Sequence, residues 1–202
     1  IVGRLRDFTP SISTGPFGTA LGTADYISGG IPVINPSHIG ESGCSPNEAV
    51  SVSTATAIRL SLWRMRTGDV VTARRGELGR SAVIRESENG TGSLRLRPDS
   101  SKSSSAYLHA VLQSVSARSW LEYQSVGSTM PNLSEAIIGN LPIAAPPSIR
   151  EQDYLLEAIA RQNRKIDTLI SKTERSIKLL REHRTALITA AVTGKIDLRP
   201  AA

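Results

Sequence analysis

Residues 141–194 read LPIAAPPSIREQDYLLEAIARQNRKIDTLISKTERSIKLLREHRTALITAAVTG, and the change of texture where this stretch begins organises the rest of the chain. Pro142, Pro146 and Pro147 cannot sit inside a helix, because each lacks an N–H and its ring crowds the preceding turn. Ser148 and Glu151 then have the S-x-x-E spacing of a capping box, which marks a helix start. No proline or glycine follows until Gly194, which stands where a helix would end. Apolar Leu155, Ile159, Ile166, Leu169 or Ile170, Ile177, Leu180, Leu187 and Ala191 recur in steps built from three and four, interrupted by Gln162, Thr173 and Arg184. About 42 helical residues at 1.5 Å each would reach roughly 60 Å, twice the width of a small domain. A helix of that length cannot be packed wholly on its own domain. Its seam, with Ile159, Ile166, Leu169, Thr173, Ile177, Leu180 and Leu187 as pairing positions, is therefore expected to meet another long helix in a coiled coil. Folding back into two shorter helices would need a turn signal, and Ser171 to Thr173 is the single weak candidate.

Upstream, residues 1–147 are short β-type runs broken by Gly, Pro, Ser and Asn, the texture of a compact mixed α/β domain. Strands are expected at Ile31 to Asn35, Asp69 to Ala73, Ser81 to Arg85 and Ser93 to Arg97. Tyr107, Leu108, Val111, Leu112, Val115, Trp120 and Leu121 follow helical spacing, so one helix is expected over Ser104 to Glu122. Long polar loops fall at Pro10 to Tyr26, Gly40 to Asn47 and Pro98 to Ser105, where a rigid scaffold usually carries binding groups. The fold class expected is α+β: a mixed α/β domain over 1–147 and a long helix over 148–202.

Composition sets the partner class. The chain of 202 residues is 39% hydrophobic and 4% aromatic, enough apolar material for one sizeable core. No stretch approaches the roughly 18 apolar residues of a membrane span, and no basic-then-apolar segment opens the chain, so a cytoplasmic protein is expected. Cys44 is the lone cysteine, expected as a free loop or core thiol, and with only His38, His109 and His183 a structural zinc site is not expected. A net charge of +6 and a sequence pI near 9.9 favour a polyanion partner. Residues 1–147 hold 13 basic and 11 acidic side chains, and residues 148–202 hold 11 and 7. Between 59 and 85, Arg59, Arg64, Arg66, Arg74, Arg75, Arg80 and Arg85 face only Asp69 and Glu77, a local +5.

Catalytic signatures are incomplete. Gly15 to Gly22 (GPFGTALG) lacks the Gly-Lys-Ser/Thr ending of a phosphate-binding loop and reads as a flexible loop. Asn35-Pro36-Ser37-His38 lacks the second proline and the aromatic of an adenine methyltransferase motif and reads as a strand-to-loop turn. Pro98-Asp99 with Lys102 has no further carboxylate to hold a metal ion, and no nucleophile elbow sets a serine beside a base. His109, inside an apolar helical stretch, is expected as a core or rim histidine. No catalytic residue, metal or cofactor is therefore assigned.

The positive signal is the predicted hairpin Asp69-Val-Val-Thr-Ala-Arg74-Arg75-Gly76-Glu77-Leu78-Gly79-Arg80-Ser81-Ala-Val. Guanidinium groups on a glycine-containing connection can reach phosphates or make bidentate bonds to guanine. A solvated charged face would mix signs and use lysine freely, whereas residues 1–147 contain 12 arginines and one lysine; a GC-rich genome would leave the same imprint. Arg64, Arg66, Arg74, Arg75 and Arg80 are the candidate DNA contacts. Ser128, Thr129 and Asn132 in GSTMPNLS (127–134) are further candidates, through hydroxyl and amide groups that serve phosphates, base edges or local turns equally well.

Two sets of residues resemble a known family. Leu141 to Pro147 with Glu151-Gln152, Ile166-Asp167-Thr-Leu-Ile170 and Leu187-Ile-Thr-Ala-Ala-Val-Thr-Gly194-Lys195-Ile196-Asp197 look like the helical region of type I restriction-modification specificity subunits. Gly30-Ile-Pro-Val-Ile34, Gly68 to Gly76 with Gly79-Arg80, and Gly127 to Ser134 are similar to landmarks of that family's target-recognition domain. The resemblance implies a domain that reads half of a bipartite DNA site and paired helices that set the spacing between two such domains. It implies non-catalytic work beside modification subunits, which bind S-adenosylmethionine and methylate adenine, and restriction subunits, which use ATP and Mg²⁺. A full subunit has two recognition domains and two helices, against one of each here. Ile1 in place of Met suggests a fragment or trimmed chain, and the ending after Ile196 to Arg199 looks like a family C-terminus, so the expectations are a C-terminal half or a half-sized subunit pairing with its own copy. Readings from other classes are a stand-alone DNA-binding regulator or decoy with a dimerising coiled coil, a dimerising scaffold that never touches DNA, and, least favoured, an independent methyltransferase.

Overall fold

A computed structural model describes residues 2–16, 18–40, 43–125 and 132–196. The chain opens with β1 (Val2–Arg4), α1 (Leu5–Phe8), β2 (Ser11–Ser13), β3 (Tyr26–Ile27) and β4 (Ile31–Ile34). It continues through β5 (Ile39–Gly40), β6 (Gly43–Cys44), β7 (Ser51–Val52), α2 (Thr54–Arg59), β8 (Val70–Thr72) and β9 (Ser81–Val83). Then come β10 (Thr91–Gly92), β11 (Leu94–Arg97), α3 (Ser105–Gln113), α4 (Val115–Gln124), α5 (Glu135–Gly139), β12 (Pro142–Ala144) and α6 (Ile149–Val192). Among the described residues no helix is long and apolar enough to cross a membrane.

Two four-stranded sheets organise the first part, ordered β2-β11-β8-β9 and β10-β4-β7-β3. The first is antiparallel throughout, with Val70 opposite both Leu96 and Val83. The strands expected at 31, 69, 81 and 93 correspond to β4, β8, β9 and β11. Alternation along β8 separates two cores: Val70 packs with Leu94, Leu96 and the helices, while Val71 packs with Ile34, Met65 and Ala82. The larger core adds Leu108, Leu112, Leu121 and Ile138 from α3, α4 and α5. Cys44 lies in the smaller core as a free, buried thiol.

The helix expected over Ser104 to Glu122 is two helices. Ser114 takes an extended backbone (φ −65°, ψ 145°), and its side chain accepts from the Ala117 amide, so it caps α4 instead of continuing α3. A serine hydroxyl that bonds a nearby amide offers the backbone an alternative to the helical ladder. Val115, counted in the apolar stripe, is 81% exposed as a result.

The proline-rich stretch ahead of the long helix does structural work too. β12 pairs antiparallel with β1, Gly3 opposite Ile143, and the Leu5 amide donates to the Leu141 carbonyl. α6 begins beside Ser148, whose Oγ accepts from the Glu151 amide. Its fully buried Gln152 bonds three backbone groups: the Ser104 amide donates to Oε1, and Nε2 donates to the Lys102 and Pro146 carbonyls. The first compact unit therefore runs to Leu156, and residues from Glu157 form a second unit. In that second unit Ile159, Ile166, Leu169, Thr173, Ile177, Leu180 and Leu187 are all exposed, Leu169 at 62% and Leu180 at 67%. α6 closes at Gly194: the Lys195 amide reaches back to the Ala190 carbonyl and the Gly194 amide to that of Ala191, a Schellman ending. Its 44 residues correspond to about 66 Å.

Candidate nucleic-acid interface

The arginine hairpin forms where the sequence places it. β8 and β9 are joined by residues 73–80, closed by the Ala73 amide on the Arg80 carbonyl and by Thr72 Oγ1 on the same carbonyl. Gly79 turns with φ +82°, and a Cβ there would meet the Leu112 carbonyl at 2.9 Å, so the connection needs glycine for both conformation and space.

The candidate arginines then separate by environment. Arg74 is half-buried: its Nε donates to the Leu133 carbonyl, while its own carbonyl accepts from the Leu133 amide. Burial holds its pKa below the ordinary arginine value, helped by neighbouring Arg75 and opposed by Glu135. Arg80 is also half-buried, its Nη2 donating to the Pro36 carbonyl, which ties the hairpin to the turn after β4. Arg64, Arg66 and Arg75 are exposed, and their guanidinium groups have no hydrogen-bond or ion-pair partner among the described residues. Asn132 Oδ1 is buried without a donor among those residues. Ser128 and Thr129 lie outside the described residues.

Arg74 and Arg75 meet Tyr26, Asn35, Pro36 and Ser93 around a cleft of about 490 Å³. Its floor is a close backbone contact: a Cβ on Gly15 would sit 1.7 Å from the Gly92 carbonyl oxygen. The GPFGTALG string thus lines this cleft at its first glycine. A second cleft, of about 450 Å³, is lined by Ile31, Thr54, Ile58, Arg64, Asn89 and Thr91, among others. Arg66 lines neither cleft. Tyr26, Asn35 and Ser93 carry no sequence signal of their own, because they meet only through the β3-β7-β4 and β4-β10 pairings.

Many of the other arginines are structural. Arg95 donates to the Arg64 carbonyl and to Ser11 Oγ, and Arg97 forms a two-pronged pair with the buried Asp69 carboxylate at 2.7 and 2.8 Å. Arg59 bonds Asp25 and the Ala20 carbonyl, and Arg118 bonds Glu77 and Gln113. A planar fork with five donors suits such bridging between loops in a way that an ammonium does not, which accounts for part of the arginine bias.

The model of the family "Type I restriction modification DNA specificity domain" matches residues 3–179. The chain belongs to this family. As a type I specificity domain it has solved neighbours of the same fold. A chain from a structural study of complex assembly and conformational transition of the type I R-M system is 19% identical, with a TM-score of 0.67 over 95% of this chain and 45% of that one. The HsdS subunit from Thermoanaerobacter tengcongensis is also 19% identical, with a TM-score of 0.61 over 99% and 51%. The type I S subunit from M. genitalium is 16% identical, with a TM-score of 0.54 over 91% and 44%. This specificity domain thus spans about half the length of those solved relatives. No curated protein matches it.

Proposed function

We propose that this specificity domain reads one half of a bipartite DNA site for a type I restriction-modification complex, working in the cytoplasm and performing no chemistry itself. Residues up to Leu156 would recognise DNA, and the remainder of α6 would assemble the complex. Modification subunits would methylate the chosen site, with restriction subunits recruited through them. The exposed seam of α6 would pair with the long helix of a second half-subunit or of another copy. Supporting this reading is one observation above all: the family match coincides with a hairpin whose Arg75 is exposed, with no partner among the described residues, beside a cleft lined by Arg74 and no described carboxylate.

The experiment has two parts. Methylome sequencing with and without the chain, in cells carrying the modification subunits, should reveal a methylated motif that depends on it. Fluorescence anisotropy of the assembled complex on that motif and on a scrambled duplex should then show weakened binding for Arg75→Ala. Methylation that is indifferent to the chain would refute the reading. Co-purification without modification subunits, but with DNA binding retained, would identify a stand-alone regulator instead.

A further inference from the structure

The two clefts lie along one strand. Tyr26 and Ile31 are both in register with Val52, so the three side chains share a sheet face, and alternation adds Val33 and Asn35 to it. The opposite face turns Ile34 into the smaller core. On the shared face, Ile31 lines the cleft that holds Arg64, and Val33 and Asn35 line the cleft that holds Arg74 and Arg75. Strand β10 follows the same path beside β4, contributing Thr91 to the Arg64 cleft and Gly92, with Ser93 after it, to the Arg74 and Arg75 cleft. Hollows thus succeed one another along β4, each with an unpartnered arginine and neither with a carboxylate among the described lining residues.

A concavity bordered by cations suits the convex ridge of a nucleic-acid strand, not the edges of stacked bases, which a protein reaches with protruding groups. Ile31 and Asn35 are about 13 Å apart along an extended strand, long enough to meet more than one phosphate of a strand whose charges rise about 3.4 Å apiece along the helix axis. Side-chain amides at Asn35 and Asn89 are of the kind that bond phosphate and sugar, whereas the Thr91 and Ser93 hydroxyls already donate to the Trp63 and Ile34 carbonyls. We infer that the two clefts, between which Val33 and Val52 are buried, form a track for the sugar–phosphate backbone of one DNA strand, with Arg64 and Arg75 as two separate phosphate contacts. Arg74 and Arg80, tethered to the Leu133 and Pro36 carbonyls, are positioning residues that hold the hairpin against the track. The inference rests on the DNA-recognition reading and deepens it: Arg75 supplies affinity and register, and sequence is read by other groups.

The test is anisotropy with the full chain on two duplexes of unrelated sequence, comparing the parent with Arg64→Gln, Arg75→Gln, the double variant and Arg85→Gln. Arg85 is exposed and lines neither cleft, so it controls for charge alone. Each phosphate contact contributes about 0.9 to the slope of log affinity against log salt, so a fourfold rise in salt weakens the parent about 3.5-fold more than a variant lacking one contact. Each single variant should lower the slope by about 0.9 and the double variant by about 1.8, equally on both duplexes, with Arg85→Gln unchanged. All five proteins should share one circular-dichroism melt, since the substituted side chains are exposed and none has a hydrogen-bond or ion-pair partner among the described residues. An unchanged slope for Arg64→Gln or Arg75→Gln, or a loss confined to one duplex, overturns the track while leaving DNA recognition intact. A parent that binds neither duplex overturns both.

Discussion

Gln152 couples the start of the long helix to the recognition unit, and its replacement should be felt far beyond its size. Gln152→Met keeps the volume and helix propensity but removes both polar ends of the side chain. Three bonds vanish: the Ser104 amide to Oε1 at 3.0 Å, and Nε2 to the Lys102 and Pro146 carbonyls at 2.8 and 3.3 Å. Each bond contributes about 1 kcal/mol net, and an orphaned buried backbone group costs about 1–3 kcal/mol. Ser104 and Lys102 lose partners in a setting where the glutamine is fully buried, so a loss of about 3 kcal/mol is expected. In a unit of this size that lowers the melting temperature by about 9 °C. Ser104 also caps α3, its Oγ accepting from the Tyr107 amide, so amide exchange should quicken through the first turn of α3 as well. Calorimetry and hydrogen exchange on Gln152→Met, with the exposed Gln162→Met as control, measure both effects. A variant that melts with the parent and keeps Ser104 protected would refute the reasoning.

Other expectations follow from the same structure. Leu169→Asp with Leu180→Asp should abolish helix pairing while leaving the melt of the recognition unit unchanged; light scattering that shows the parent's mass would contradict the assignment of the seam. Cys44, buried and pushed up to about 11 by desolvation and by the charge of Glu88, should resist Ellman's reagent in the folded protein and react fully in denaturant. His109, with Nδ1 3.0 Å from Ser81 Oγ, has its pKa pushed below the ordinary value by burial. The folded state therefore binds that proton more weakly than the unfolded state, so its contribution to stability is present above about pH 6.5 and is lost as pH falls below it. Urea midpoints should drop less between about pH 7.5 and 5.5 in His109→Gln than in the parent, and parallel curves would exclude the effect.

What could be read from the sequence depended on the range of the forces involved. The long helix was legible because its cap at Ser148, its uninterrupted interior and its glycine stop are all local, and the hairpin was legible because Gly76 and Gly79 punctuate two short apolar runs. The break at Ser114 was not, because Val111, Leu112 and Val115 keep helical spacing across it and only the hydroxyl-to-amide bond decides the matter. The clefts were hidden for a different reason. Gly15 touches Gly92, and Tyr26 comes beside Asn35, through strand pairings that no local pattern encodes. Counting arginines could not separate Arg75, which faces solvent, from Arg80, Arg95 and Arg97, which span loops.

The ladder between Val2–Arg4 and Pro142–Ala144 has a consequence for how such a module can be inherited. Antiparallel pairing sets Val2 directly opposite Ala144, so the two ends of the stretch ahead of α6 run side by side, about 5 Å apart. A segment with adjacent ends can be exchanged for another as a cassette, since whatever precedes it and the helix that follows meet the same two closely spaced attachment points. Recombination between genes that share only the flanking sequence could then install a different domain without altering the helix that follows it.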